Sequence, residues 1–244
     1  MTALEVDAVS VLFGGNRVLD QVTLRAEAGQ VTGLIGPNGA GKTTLFNVIT
    51  GSVTPSSGRV RVGERDVTEL AVHKRARTGL ARTFQQLDLF TMLTVRENIR
   101  VAADIRRRWS HQRFDVHELT ASIIERVGLQ AVAEDRVTGL PTGQGRLVEL
   151  GRALATAPQV LLLDEPASGQ DDIETGRFGD LLVELARDGI AVVLVEHDMT
   201  LVMKVCDQVH VLDLGHVITS GDPATVQADQ AVHDAYLGTR EQPA

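Results

Sequence analysis

Gly36-Pro37-Asn38-Gly39-Ala40-Gly41-Lys42-Thr43 fits the spacing G-x-x-x-x-G-K-[ST], between an apolar run, Val31–Ile35, and a helical pattern over Thr43–Ile49. Glycines let a backbone wrap phosphate groups, and N–H groups at a helix N-terminus point at negative oxygens. Lys42 is placed to neutralise β and γ phosphates, and the Thr43 hydroxyl, with Thr44 beside it, to reach those phosphates and ligate Mg²⁺. The chemistry expected here is binding and cleavage of a nucleotide triphosphate. A ligand-free structural turn is the alternative, and the strand before and helix after argue against it.

A second acidic cluster fits the same chemistry. Val160–Leu163 is an apolar run ending in Asp164-Glu165-Pro166, which puts two carboxylates at the C-terminal end of a buried strand, where open α/β sheets bind ligands. Asp164 suits the first or second shell of Mg²⁺, and Glu165 suits activation of a water. Ile190–Val195 ends the same way, in Glu196-His197-Asp198. A lone histidine is more often structural, but beside these motifs His197 reads as part of the site.

Elements must exist to hold these groups. The first thirty residues alternate with period 2, as in Val22, Leu24 and Ala26, with an interruption at Gly14-Gly15-Asn16, so an N-terminal antiparallel sheet is expected. Short strands are expected at Arg59–Val62 and Gly79–Phe84, and late strands at Val209–Leu212 and His216–Thr219. From about Asp88 to Gly151 the pattern is helical, opening on a capping box at Thr94 and Glu97. Phe178, Leu181, Leu182 and Leu185 mark a helix between the buried strands. Asp222-Pro223 reads as an N-cap with proline at N1. The helical block therefore reads as an insertion in one α/β domain, with a frayed tail at Thr239–Ala244.

With 244 residues the chain can bury a sizeable core. A formal net charge of −8 argues against a protein that coats nucleic acid, so no nucleic-acid partner is expected. The single cysteine, Cys206, excludes an internal disulfide framework and reads as a small core residue. No uncharged apolar stretch approaches the ~20 residues of a membrane helix. Met1–Asp7 lacks the basic-then-apolar pattern of an export signal, so a cytoplasmic location is expected.

Together these residues resemble the ATP-binding cassette (ABC) ATPases over nearly the whole chain. Besides the phosphate loop and Asp164-Glu165, the resemblance includes Gln85 in Arg82-Thr-Phe-Gln85 at the Q-loop position and Ser168-Gly-Gln-Asp171 at the D-loop. It also covers His197 at the switch-histidine position and Leu140-Pro-Thr-Gly-Gln144 at the signature position, before Arg146, Glu149 and Arg152. It implies one nucleotide-binding domain over residues 1–244: a P-loop α/β core, an N-terminal antiparallel β subdomain and a helical subdomain at about 88–151. Two such subunits, identical or different, would sandwich two molecules of ATP with Mg²⁺. Each site would take Lys42, Thr43, Asp164 and Glu165 from one chain and the signature from the other.

Under this resemblance Gln85 and Glu165 act at the attacking water, His197 lies near the γ-phosphate, and Gln85 joins Thr43 and Asp164 around the metal. Gly143 and Asp171 belong to the nucleotide site, and Phe13, with Val18 nearby, stacks on adenine; an apolar residue on a half-buried strand is the other reading of Phe13. Leu87, Leu89 and Phe90 are expected to form a groove for a membrane subunit. Arg106-Arg107-Arg108 reads as a solvated basic face or as a lipid or partner contact.

Within the family the likeness is to cytoplasmic ATPases of bacterial branched-chain amino acid importers, carried by Gly33–Gly51, Arg75–Gln85, Leu93–Asn98 and Ala235-Tyr-Leu-Gly238. It implies integral-membrane permease partners, a solute-binding protein as an indirect partner, and a peripheral place on the cytoplasmic membrane face. A urea or amide importer, or a soluble ABC clamp unconnected with transport, remains the alternative; a GTPase would need an Asn-Lys-x-Asp motif, which is not evident. Two positions depart from the family pattern. Pro141 stands where a signature serine is usual, which either weakens the signature or merely starts the next helix. Gln170 replaces a more usual apolar D-loop residue.

Overall fold

The computed structural model describes residues 1–237; Gly238 and the expected frayed tail lie outside the described residues. Strands β1 (Thr2–Phe13), β2 (Asn16–Glu27), β4 (Ser57–Val62) and β5 (Arg65–Asp66) form an antiparallel sheet in the order β2-β1-β4-β5. Alternation drives it: Leu4, Val6, Val9 and Val11 of β1 and Leu19, Val22, Leu24 and Ala26 of β2 are buried. The steps from Val6 to Val9 and from Leu19 to Val22 break the period of two. Ala8 and Gln21, each at φ 48°, lie in these steps, and the β1–β2 register shifts on either side of Val9.

The second sheet runs β10-β9-β3-β8-β7-β6. It comprises β3 (Val31–Ile35), β6 (Leu80–Arg82), β7 (Val160–Asp164), β8 (Ala191–Val195), β9 (Gln208–Asp213) and β10 (His216–Gly221). All its pairings are parallel except β9–β10. Every residue of β3, β7 and β8 is buried, as expected for parallel strands covered on both faces. Their side chains feed two cores. Leu34, Leu162, Val193 and Val195 pack with α1 (Lys42–Thr50) and the antiparallel sheet. Ile35, Leu161, Leu163 and Leu194 pack with the other helices.

Those helices are α3 (Val95–Trp109), α4 (Val116–Arg126) and α5 (Thr142–Ala155), followed after β7 by α6 (Asp172–Arg187) and α7 (Met199–Val205). Short α2 (Val72–Ala76) precedes β6, and α8 (Pro223–Ala228) and α9 (Gln230–Leu237) close the described chain. The capping box forms with both bonds: Glu97 N–H donates to Thr94 Oγ1 at 3.2 Å, and Thr94 N–H to Glu97 Oε2 at 2.9 Å. Asp222 caps α8 with Pro223 at its start. The inserted helices begin at Val95, and α5 runs past 151 to Ala155, so the expected helical block is shifted toward β7.

Two exposed stretches make contacts within the chain. Leu87 and Leu89 lie against α5, where a Cβ at Gly145 would be 3.1 Å from Leu87 and 3.7 Å from Leu89, while Leu87 stays 40% exposed. In the arginine run, Arg106 stacks on Phe114 at 4.6 Å and Arg107 pairs with Asp104 at 2.8 Å, while Arg107 keeps a side chain 59% exposed, as a solvated face would.

Candidate functional site

Residues 36–41 turn from β3 into α1 at the C-terminal edge of the parallel sheet. Two glycines are sterically required. Gly36 has φ 148°, and a Cβ there would lie 1.9 Å from the Leu212 carbonyl; at Gly41, φ 109°, it would lie 2.7 Å from Leu19 Cδ2 and 3.2 Å from the Val18 carbonyl. Gly41 is also the N-cap of α1 and offers no side-chain acceptor, so side chains leave the first N–H groups of α1 for an anion. Lys42 Nζ donates to the carbonyls of Gly36 at 2.6 Å and Pro37 at 3.0 Å, which curls its ammonium over the loop. Burial lowers its pKa, while the nearby charges of Glu165 and Asp164 oppose the shift.

The ends of β6, β7 and β8 bring the other groups there. Asp164 closes β7 opposite Val195 of β8, and Glu165 N–H donates to the Val195 carbonyl at 2.9 Å. Glu165 holds φ 48°, a left-handed conformation costly for a residue with a Cβ and concentrated at functional sites. Gln85 Nε2 donates to Glu165 Oε2 at 2.8 Å, and His197 Nδ1 lies 3.9 Å from the same oxygen. Lys42, Gln85, Asp164, Glu165 and His197 thus meet at one mouth of the sheet. His197 is 67% exposed there, as a side chain meeting a ligand requires.

The remaining predicted residues lie in two other places. Phe13 ends β1 and is 49% exposed; Val18, on β2, presents its carbonyl to the phosphate loop. Gly143 and Asp171 sit at the N-termini of α5 and α6. Asp171 caps α6 by accepting from Glu174 N–H at 2.8 Å, and the Glu174 carboxylate comes within 2.9 Å of where a Cβ on Gly143 would stand. Pro141 is the N-cap of α5, one position before the helix starts, and gives it no side-chain cap.

Five buried charged side chains near the site carry no role assigned from the sequence. Glu196 is 1% exposed; it accepts from Ala167 N–H at 2.9 Å and His197 N–H at 3.2 Å, and burial raises its pKa. Arg146 of α5 donates to the carbonyls of Phe84 and Gln85 and pairs with Glu149 at 3.2 Å, while Glu149 accepts from Asp88 N–H at 3.0 Å. Arg75, fully buried, donates to the carbonyls of Val48 at 2.6 Å and Ile49 at 2.8 Å near the end of α1. Arg82 pairs with Asp164 at 2.8 Å. A charged residue within an apolar run, as at Arg82, is the signal that could have found it.

Among the described residues no group of three or more His, Cys, Asp or Glu could hold a metal. Thr43 and Asp164 instead supply one hydroxyl and one carboxylate, a set that fits Mg²⁺ carried mainly by substrate phosphates.

Residues 19–168 match the family model described as ABC transporter, and residues 216–242 match that described as branched-chain amino acid ATP-binding cassette transporter. The chain is 37% identical to the high-affinity branched-chain amino acid transport ATP-binding protein BraF of Pseudomonas aeruginosa, over 96% of this chain and 97% of that protein. It is 31% identical to the lipopolysaccharide export system ATP-binding protein LptB of Haemophilus influenzae, over 98% of each. A solved nucleotide-free ATP-binding cassette from an ABC transporter superposes with a TM-score of 0.86 at 30% identity, covering 97% of this chain and 99% of that one. With a phosphate loop, two strand-end carboxylates and a glutamine converging at the sheet mouth, the chain belongs to the ABC transporter family as one of its ATPases.

Proposed function

We propose that this chain is the ATP-hydrolysing subunit of an importer for branched-chain amino acids, working on the cytoplasmic face of the membrane with permease subunits and, through them, a solute-binding protein. The observation that carries the solute is the match of residues 216–242 to the branched-chain family model, beyond the residues 19–168 that match the general ABC transporter model. No helix among the described residues is long and apolar enough to cross a membrane, so the path for the solute must come from partners.

In the proposed reaction a water attacks the γ-phosphorus, its proton passes to Glu165, and ADP leaves with the bond to its β-phosphate oxygen broken. Lys42 and the N–H groups of the loop from Gly36 to Thr44 hold the phosphates. Gln85 and His197 flank Glu165 and orient the water and the γ-phosphate, with Phe13 and Val18 on the adenine side. Mg²⁺, held by Thr43, Asp164 and Gln85, would neutralise charge developing on the phosphate oxygens. Gly143 and Asp171 serve the nucleotide of a second ATPase subunit, identical or different, which supports a closed pair with ATP at its interface.

A groove of about 400 Å³ beside the Gln85 segment, walled by Phe84, Ala102, Ile105 and Trp109 with Arg77 and Arg152, is the proposed seat of the permease. Co-purification with its permease subunits, reconstitution in vesicles and measurement of leucine-stimulated ATP hydrolysis test the reading. Stimulation by leucine, isoleucine or valine supports it. Stimulation by urea or short amides alone replaces the solute, and failure to bind any membrane subunit favours a soluble clamp.

A further inference from the structure

Arg82 ends β6, and its side chain is 7% exposed. Its two terminal nitrogens are committed: Nη2 donates to Asp164 Oδ2 at 2.8 Å and Nη1 to Asn47 Oδ1 at 2.7 Å. Its guanidinium also contacts two rings, with Cζ 5.4 Å from the Phe46 centroid and 4.9 Å from that of Phe84. One planar group therefore touches the phosphate-loop helix at Phe46 and Asn47, the end of β7 at Asp164, and the segment leading to Gln85 at Phe84. Its Nε is buried without an acceptor.

A buried ion pair is a poor device for stability, since apolar residues of similar volume often serve as well, and the orphaned Nε makes this one poorer. What the pair does supply is geometry. A guanidinium is a rigid fork, and with one prong on Asn47 the other fixes Oδ2 of Asp164, leaving Oδ1 for an incoming ligand. Phe84 is 52% exposed and lines the groove beside α3, so the ring that stacks on Arg82 faces outward to whatever binds there.

We propose that Arg82 is a positioning residue that orients the Asp164 carboxylate toward the metal of the bound nucleotide, and that its stack on Phe84 makes this orientation respond to occupancy of the groove. The first half stands on the contacts of the chain itself; the second rests on the groove being the seat of a partner.

Two effects of replacing Arg82 oppose each other. Losing a fixed positive charge strengthens attraction for a cation, whereas losing the fork frees the carboxylate to turn away. Arg82→Lys keeps the charge and loses the fork, so it isolates positioning. The test uses the full chain with a non-hydrolysable ATP analogue, titrating Mn²⁺ by electron paramagnetic resonance and measuring analogue affinity separately in EDTA. Circular dichroism checks that each variant is folded. Arg82→Lys and Arg82→Met are expected to weaken Mn²⁺ binding by about tenfold, as loss of a ligand-orienting partner does. Metal-free analogue affinity should stay within about twofold of wild type, because the phosphate contacts of Lys42 and the loop remain.

A wild-type Mn²⁺ constant in folded Arg82→Lys, or a tighter one in Arg82→Met, overturns the positioning role. If neither variant folds, Asn47→Ala, which removes the second anchor of the fork, decides by the same readout. Phe84→Ala should shift the Mn²⁺ constant in the same direction by a smaller factor; no shift overturns the link to the groove. These measurements need no transporter partner, so failure of the importer reading leaves them intact.

Discussion

The side-chain amide of Gln85 donates to Oε2 of Glu165 at 2.8 Å, although 80 residues separate them in the chain. In the free subunit this bond occupies the carboxylate oxygen that His197 also approaches, at 3.9 Å. The proposed general base is thus held by the loop that adjoins the groove, and it is the first residue to test. Glu165→Gln keeps the shape but loses the basic oxygen, so turnover should fall by at least about 100-fold while nucleotide is retained. Steady-state ATPase and nucleotide-retention assays check this; turnover within about twofold of wild type would remove Glu165 from the role.

Lys42→Ala should act on a different quantity. The Lys42 ammonium is curled over the loop, so its proposed contact with phosphate would be made in the bound ground state, before the transition state. Its loss should weaken nucleotide affinity together with turnover. Equilibrium binding of a fluorescent ATP analogue would expose the contrast with Glu165→Gln.

Phe90→Ala should impair assembly with membrane subunits more than the ATPase of the isolated chain. Phe90 is 44% exposed and lies under the guanidinium of Arg152, a groove-lining residue, at 4.6 Å, and is not in a core. Its truncation should therefore cost far less than the ~3–5 kcal/mol of a buried phenylalanine. Parallel measurements of co-purification, ATPase and thermal unfolding check it, and equal losses in all three would return Phe90 to a packing role.

Pro141→Ser should raise turnover at the nucleotide site of the opposite subunit, measured with this chain's own site silenced by Glu165→Gln. Pro141 supplies neither an N–H nor a hydroxyl at the N-cap of α5, and a hydrogen bond to a charged oxygen is worth ~1.5–3 kcal/mol, or roughly 10–150-fold if felt fully in the transition state. A serine there should also cap α5 and raise its stability by about 1 kcal/mol. A more stable variant with unchanged turnover would leave the helix-start reading of this position.

Acid should find a weak point at His210. Its ring is buried between Ser220 Oγ, 2.7 Å from Nδ1, and the Arg25 carbonyl, 3.4 Å from Nε2, and burial lowers its pKa. A histidine whose folded pKa lies below the unfolded value of ~6.5 takes up its proton more readily on unfolding. Stability is therefore kept above that pH and drains away as pH falls below it. Thermal unfolding between pH 7.5 and pH 5 should show a shallower loss in His210→Gln than in wild type, at roughly the histidine range. Identical slopes would assign the acid sensitivity to other groups.

Local encoding explains which of these features were legible in the sequence. The phosphate loop, the Thr94–Glu97 box and the Asp222-Pro223 cap are each specified within a few residues, and each forms as expected. The apolar runs at Val160–Leu163 and Ile190–Val195 delivered Asp164, Glu165 and His197 to one edge because parallel strands all end on the same side. Arg82 was legible only as a charge in an apolar run: its partner Asp164 is 82 residues away, and nothing nearby in the chain names that carboxylate. Leu87 and Leu89 were legible as apolar residues after a loop, but the glycine at 145 against which they lie shows only in three dimensions.

The hold of Arg146 on the carbonyls of Phe84 and Gln85 has a mechanical consequence. α5 begins in the signature segment, proposed to serve the neighbour's nucleotide, while Gln85 is proposed to serve the chain's own. With both fastened to one guanidinium, a pull on the 84–90 segment turns them as a single crank. In a closed pair each subunit would then gear the site it lends to the site it keeps, so that two nucleotides could fall into step without touching.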